Sequence, residues 1–296
     1  PEYQVSLSDH LKADLLLVAV TLLAAIGWIF SKEALNGLPP LLFVGIRFLM
    51  AGLVLVPFGF AQLKALPRAD WRRASGVGVA FAAGMLCWIL GLHHANHIGV
   101  GAFLTSLGVV LVPLVTMWFG EKPARSVWLA LPLAGAGIAS LSLDSALVIG
   151  WGETFFMIAA VIFAFFFTLN SRAAGSVPII ALSAIQLVIV GCVALLVSAF
   201  TETWNFDQPT AIWGWLLASV LIATSLRFFM QTWAQGLAPA SHTAVIMTLE
   251  PVWTALLAMV WFAESMTLMQ LAGCGLIFSA LLVSRWKAVV MWLGKR

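Results

Sequence analysis

The chain has 296 residues, of which 62% are hydrophobic and only 9% charged, against about 25% charged in an ordinary soluble domain. That composition excludes a water-soluble globule. Fifteen Lys and Arg against twelve Asp and Glu leave a formal charge of +3, too small an excess for a nucleic-acid surface.

A hydrocarbon core about 30 Å thick takes roughly 20 apolar residues per helix, and ten stretches meet that test. The segment before Leu15 carries Glu2, Asp9, Lys12 and Asp14 and lacks the basic start and cleavage site of a signal peptide, so the first span is expected to be retained. That span runs from about Leu15 to Ser31 and holds Trp28; Lys32 and Glu33 follow at its mouth. The second, Leu41 to Phe60, contains Arg47, which is expected to snorkel to the nearer interface. The third, Gly76 to Leu92, holds Trp88 and leads into His93, His94 and His97; with no acid or cysteine beside them these read as loop histidines rather than a zinc site. The fourth, Ile98 to Gly120, contains Thr105, Gly108 and Pro113 and ends in Gly120-Glu121. The fifth, Val127 to Leu143, carries Ala134-Gly135-Ala136-Gly137, small residues that let backbones approach closely.

The sixth span, Leu147 to Ser171, contains Phe163, Phe166 and Asn170, with Arg172 at its end; the seventh, Val177 to Phe200, contains Gln186. The eighth, Ile212 to Trp233, holds Arg227 and Gln231. The ninth, Ala240 to Phe262, begins near His242, contains Leu249-Glu250-Pro251 and Trp253, and ends in Ala263-Glu264. The tenth, Thr267 to Ser284, carries Ala272-Gly273-Cys274-Gly275. Cys87, Cys192 and Cys274 all fall in apolar runs and read as small buried residues.

With a cytoplasmic N-terminus the inside regions hold Lys12, Lys64, Arg68, Arg72, Arg73, Lys122, Arg125, Arg172, Arg285, Lys287, Lys295 and Arg296, while the outside loops hold Lys32. The positive-inside rule then places both termini in the cytoplasm. Sliding the chain on itself aligns Pro39, Gly52 and Val54 with Pro178, Gly191 and Val193, and Trp118, Phe119 and Glu121 with Trp261, Phe262 and Glu264. Five helices is an odd number, so a second copy enters the membrane from the opposite face. The expected fold is an all-α polytopic membrane protein, ten transmembrane helices arranged as two inverted five-helix repeats, residues 1–145 and 146–296. Such repeats support alternating access about a site near the midplane.

Ionisable groups inside a span cost about 2.5–3.5 kcal/mol on insertion scales, so Arg227 and Glu250 each need a reason. They sit at similar depth and could meet. They read either as a buried pair pinning two helices or as cavity groups holding a substrate carboxylate and amine, with proton coupling through Glu250 a third possibility. Trp28, Trp88, Phe163, Phe166 and Trp253 are candidates for an apolar cavity wall, able to stack on planar side chains and to sit over an ammonium; Gln231 is a polar neighbour of the Arg227 position. Gly108, Pro113 and Pro251 weaken the centres of two helices and are hinge candidates. No phosphate-cradling loop, metalloprotease helix or nucleophile elbow is present, so no cofactor is expected. A membrane-embedded lipid-modifying enzyme would need paired acids or a nucleophile and base, and the acids here are scattered singly.

On the ten spans, the repeat, the Gly120-Glu121 and Ala263-Glu264 helix ends and the Leu249-Glu250-Pro251 string, the chain resembles the drug/metabolite transporter superfamily in its form with two EamA repeats. Within it, the chain is similar to the amino-acid exporters of the YddG kind. The resemblance implies a bacterial inner-membrane exporter of aromatic and other neutral amino acids, or of similar small amphiphilic metabolites, with a cavity between the first, third, fourth, sixth, eighth and ninth helices. The first helix departs from the family's Trp-Gly-Ser-type string, reading Ala24, Ala25, Ile26, Gly27, Trp28. The nearest rival is proton-coupled efflux of lipophilic cations with Glu250 as counter-charge. Partners are then the small-molecule substrate and the bilayer, and one chain of ten spans makes a complete transporter without dimerising.

Overall fold

The computed structural model describes residues 7–94, 98–123, 125–142, 150–262 and 267–284. His97, the junction at residue 145, the Ala263-Glu264 string and the basic C-terminal tail lie outside that range. The described residues form helices and no strand: α1 (Leu7–Ala34), α2 (Pro40–Ala65), α3 (Arg68–His94), α4 (Ile98–Trp118), α5 (Arg125–Ser142), α6 (Trp151–Ala174), α7 (Ile179–Thr201), α8 (Thr210–Leu237), α9 in two pieces (Ala240–Met247 and Glu250–Phe262) and α10 (Leu268–Ser284). Seven of these, α1, α2, α3, α6, α7, α8 and α9, are long and apolar enough to cross a bilayer, while α4 and α10 contribute shorter apolar stretches, Leu104–Trp118 and Leu271–Ala280. Only helices satisfy their own backbone groups in hydrocarbon, and the outer surface suits that solvent: Phe58, Trp118, Phe200 and Leu268 are all exposed.

Proline sets several helix starts. Pro39, Pro178, Pro209 and Pro239 each stand immediately before a helix, where a missing N–H costs nothing. Pro39 and Pro178 are equivalent positions in the repeat.

The packing has the symmetry the repeat requires. Helices α2 and α7 cross on each other, as do α5 and α10; the contact of α3 with α6 has its counterpart in α8 with α1, and that of α4 with α6 in α9 with α1. Exchanging each helix for the one five places along leaves this set unchanged. Repeat-equivalent glycines serve equivalent contacts. A Cβ on Gly52 would lie 2.8 Å from the Val188 amide nitrogen, and one on Gly191 would overlap the Leu49 backbone. Each glycine therefore admits the other helix at the α2–α7 crossing. At the α5–α10 crossing a Cβ on Gly137 would lie 2.7 Å from the Gly273 carbonyl.

Two helices depart from regular α geometry. Residues Leu221–Leu226 of α8 form a π-helical turn. There Thr224 and Ser225 hydroxyls donate to the carbonyls five residues back, those of Ser219 and Val220, at 2.9 and 2.8 Å. In α9 the helix stops at Met247 and restarts at Glu250. Pro251 is the cause: it has no N–H for the Met247 carbonyl and its ring crowds that group, so the chain breaks one turn upstream and Pro251 falls in the first turn of the new piece. The equivalent helix of the first repeat, α4, shows no such break. Helix α4 runs unbroken through Gly108 and Pro113, and Gly108 instead admits α6, since a Cβ there would lie 2.5 Å from the Ala160 carbonyl.

Candidate functional site

A cavity of about 170 Å³ lies among α1, α2, α3, α4, α6, α8 and α9. Six of these helices match the resemblance-based expectation, and α2 is the addition. Its lining on α1 begins at Ala24 and reaches Ser31, so the cavity sits toward the end of that helix, away from the face where α1 starts.

The charged part of the wall is built from α8, α9 and α1. Arg227 lies directly after the π-turn, and Glu250 opens the second piece of α9, so each helix irregularity presents one charge to the cavity. Arg227 NH2 stands 3.6 Å from Glu250 Oε2. Trp28 Nε1 of α1 donates to Glu250 Oε1 at 3.0 Å, so both carboxylate oxygens are engaged. The Arg227 Nε is buried without a partner among the described residues, as are Gln231 Oε1 and Thr105 Oγ1, and all three residues line the cavity.

The apolar part is aromatic. Trp28 meets Trp88 edge-on, ring centres 4.9 Å apart. Phe81 stacks on Phe166 at 4.2 Å and touches Phe48, Phe163 and Phe228 at 5.5, 6.4 and 4.9 Å. Trp28, Trp88, Phe163 and Phe166 thus line the cavity with Arg227, Gln231 and Glu250, and the hinge candidates Gly108 and Pro251 do so as well. Trp253 does not; it packs beside the cavity against a cluster that includes Val112, Met247 and Leu249. Pro113 is buried in α4 next to the lining residue Val112.

Arg47 corrects the sequence reading. It does not snorkel; it is 6% exposed and lines the cavity. Its Nε donates to Thr224 Oγ1 at 2.5 Å, NH1 to Ser31 Oγ at 2.7 Å and NH2 to the Ala223 carbonyl at 3.2 Å. The π-turn frees that carbonyl and places that hydroxyl, which no hydropathy window could show. The available signal was a second arginine well inside a span. Phe48, Phe81 and Phe228, which complete the aromatic wall, carried no mark distinguishing them from packing residues.

Outside the cavity, Asn170 bonds Gln235 and, at 3.4 Å, Thr232, which also accepts from Gln186 Nε2 at 3.1 Å; this buried network joins α6, α7 and α8. Trp233 lies under the Lys12 ammonium at 4.3 Å. Three polar contacts close the face where α1 starts. His242 Nε2 meets Asp14 Oδ1 at 3.0 Å, Arg172 NH1 donates to the Phe119 carbonyl at 3.0 Å, and Ser241 Oγ and N donate to Glu121 Oε1. Gly120, at φ 83°, ends α4 in a Schellman turn, with Gly120 N bonded to Met117 O and Glu121 N to Thr116 O, both at 3.0 Å. That turn carries Glu121 to the start of α9, where a carboxylate satisfies free N–H groups. At the opposite face Glu202 does the same for α2, accepting from Leu41 N and Leu42 N at 2.8 Å each, and Trp261 Nε1 reaches Glu33 Oε1 at 3.4 Å. His93 and His94 sit at the end of α3 with ring centres 5.0 Å apart.

A cavity at the interface of two symmetry-related repeats, apolar but for a few converging polar groups, is the architecture of a solute carrier. Comparisons with known proteins agree. The chain is 28% identical over 280 residues to an uncharacterized transporter of Archaeoglobus fulgidus, covering 93% of this chain and 86% of that one. It is 30% identical over 295 residues to the uncharacterized transporter YvbV of Bacillus subtilis, covering 94% and 92%. Over 169 residues, about half of each chain, it is 29% identical to the uncharacterized inner membrane transporter YedA of Escherichia coli. A solved structure only 18% identical shares the fold with a TM-score of 0.80 over 94% of this chain and 98% of its own. The EamA-like transporter family matches twice, at residues 11–143 and again at 150–286, and the chain, a multi-pass membrane protein, belongs to that family.

Proposed function

We propose that this protein exports amino acids with aromatic or other neutral side chains, or similar small amphiphilic metabolites, across a bacterial inner membrane by alternating access. The observation that carries the reading is the composition of one cavity wall: guanidinium, carboxylate and indole N–H grouped beside Trp88, Phe163 and Phe166. An amino acid needs one polar end and one apolar pocket. The cavity volume of about 170 Å³ is close to that of an engineered cavity of about 150 Å³ that admits benzene, which suits a small aromatic side chain better than a large drug. The closed contacts at the face where α1 starts and the cavity near the other face support an outward-facing state, taking the N-terminus as cytoplasmic.

The rival reading, proton-coupled efflux of lipophilic cations, draws on Glu250 in an aromatic cavity. Two guanidiniums line the same space, and they repel a cation. Uptake of labelled phenylalanine, threonine and tetraphenylphosphonium into proteoliposomes, with and without a proton gradient, separates the two. Saturable amino-acid counterflow is the expected result. Movement of tetraphenylphosphonium alone, driven by the gradient and lost in Glu250→Gln, overturns the amino-acid reading.

A further inference from the structure

We infer that Arg47 is the carboxylate-binding residue of the cavity, and that the substrate class extends from amino acids to amino-free aromatic carboxylates. The inference rests on the transport reading above and deepens it. Its first ground is charge. Arg47, Arg227 and Glu250 are the titratable side chains on the cavity wall among the described residues: two guanidiniums against one carboxylate, a formal charge of +1. Glu250 is engaged by Arg227 at 3.6 Å and Trp28 at 3.0 Å, so the pair is internally neutral. The excess charge belongs to Arg47.

The second ground is bonding. Arg47 has neutral partners only among the described residues: the Thr224 and Ser31 hydroxyls and the Ala223 carbonyl. A guanidinium has five N–H donors; those three bonds leave one N–H on each terminal nitrogen. Burying a charge without a counter-charge is costly, and three neutral bonds fix the fork without discharging it. A ligand carboxylate discharges it and takes charge-assisted bonds from a group already held in place. The third ground is division of labour. A substrate ammonium reaches Glu250 only in competition with Arg227, whereas a carboxylate at Arg47 displaces no counter-ion. The carboxylate is therefore the recognised end, the aromatic body lies on the Trp28–Trp88 and Phe81–Phe166 walls, and the amino group is dispensable.

Calorimetric titration of the full-length protein in detergent tests this with two matched pairs, 3-phenylpropionate against 3-phenylpropionamide and phenylalanine against phenylalaninamide. Each acid is expected to bind at least tenfold more tightly than its amide. In Arg47→Gln the ratio is expected to fall to near one, in Arg47→Lys to drop but persist, and in the double variant Arg227→Gln with Glu250→Gln, which keeps the wall at a formal +1, to persist. A residue that merely struts α1, α2 and α8 together would change stability without changing an acid-to-amide ratio. Equal affinity of acid and amide in the unsubstituted protein, no measurable binding of either acid, or a ratio that survives in Arg47→Gln overturns the inference; should Arg47→Gln not fold, an unchanged ratio in Arg47→Lys does so. The two readings fail separately. Tight binding of 3-phenylpropionate with no transport of phenylalanine removes the amino-acid reading and leaves Arg47 standing. Transport of phenylalanine with phenylalaninamide bound equally well removes Arg47 and leaves the export reading.

Discussion

Charge balance at single residues governs this cavity. Glu250 holds Arg227 through one oxygen and accepts from Trp28 through the other, so its removal strands a guanidinium beside Arg47. Breaking one member of such a pair is worse than deleting both, because the survivor is left uncompensated. Glu250→Gln is therefore expected to lower both counterflow and the melting temperature in detergent, while Arg227→Gln with Glu250→Gln regains most of the lost melting temperature but not the flux. A double variant no more stable than the single one would show that the pair is not coupled. Arg227 and Glu250 were legible in the sequence as costly charges at matching depth. Their meeting was one of the readings the sequence left open, since it depends on a π-turn and a proline break that set the facing of two helices.

At the scale of elements, glycine decides where helices cross. Gly191 and Gly52 let α2 and α7 come into backbone contact, whereas a Cβ on Gly135 would meet nothing within 4 Å. Gly191→Val forces two backbones apart and is expected to cost about 1–3 kcal/mol, the range for overpacking a filled interior. Gly135→Ala adds a methyl into open space and gains helix propensity of up to about 1 kcal/mol. Thermal melting of the two variants side by side checks the difference; equal shifts would mean that the crossing tolerates separation. The small-residue strings marked close packing in the sequence, and the repeat alignment paired Gly52 with Gly191. Gly108 adds what that reading left out: its missing side chain serves contact with α6.

Over the whole molecule, the cavity lies toward one face and polar contacts close the other. Asp14 with His242 ties α1 to α9, and Glu121 with Ser241 ties the end of α4 to the start of α9. Alternating access requires these to part. Cysteines placed at Asp14 and His242, with Cys87, Cys192 and Cys274 replaced by alanine, and joined by a short bifunctional methanethiosulfonate reagent, are expected to stop counterflow until reductant releases the cross-link; unimpaired flux with the cross-link formed would mean that this face does not open. Membrane embedding, helical class and the twofold repeat were all determined by the sequence alone. They follow from hydropathy and periodicity, which are local and act residue by residue. The tertiary structure decided that Arg47 turns into the cavity, that Trp253 stays out of it, and that α2 joins the wall. Those outcomes depend on rotation about helix axes and on side-chain partners more than a hundred residues away, as in Arg47 with Thr224, and neither is carried by the chain's local pattern.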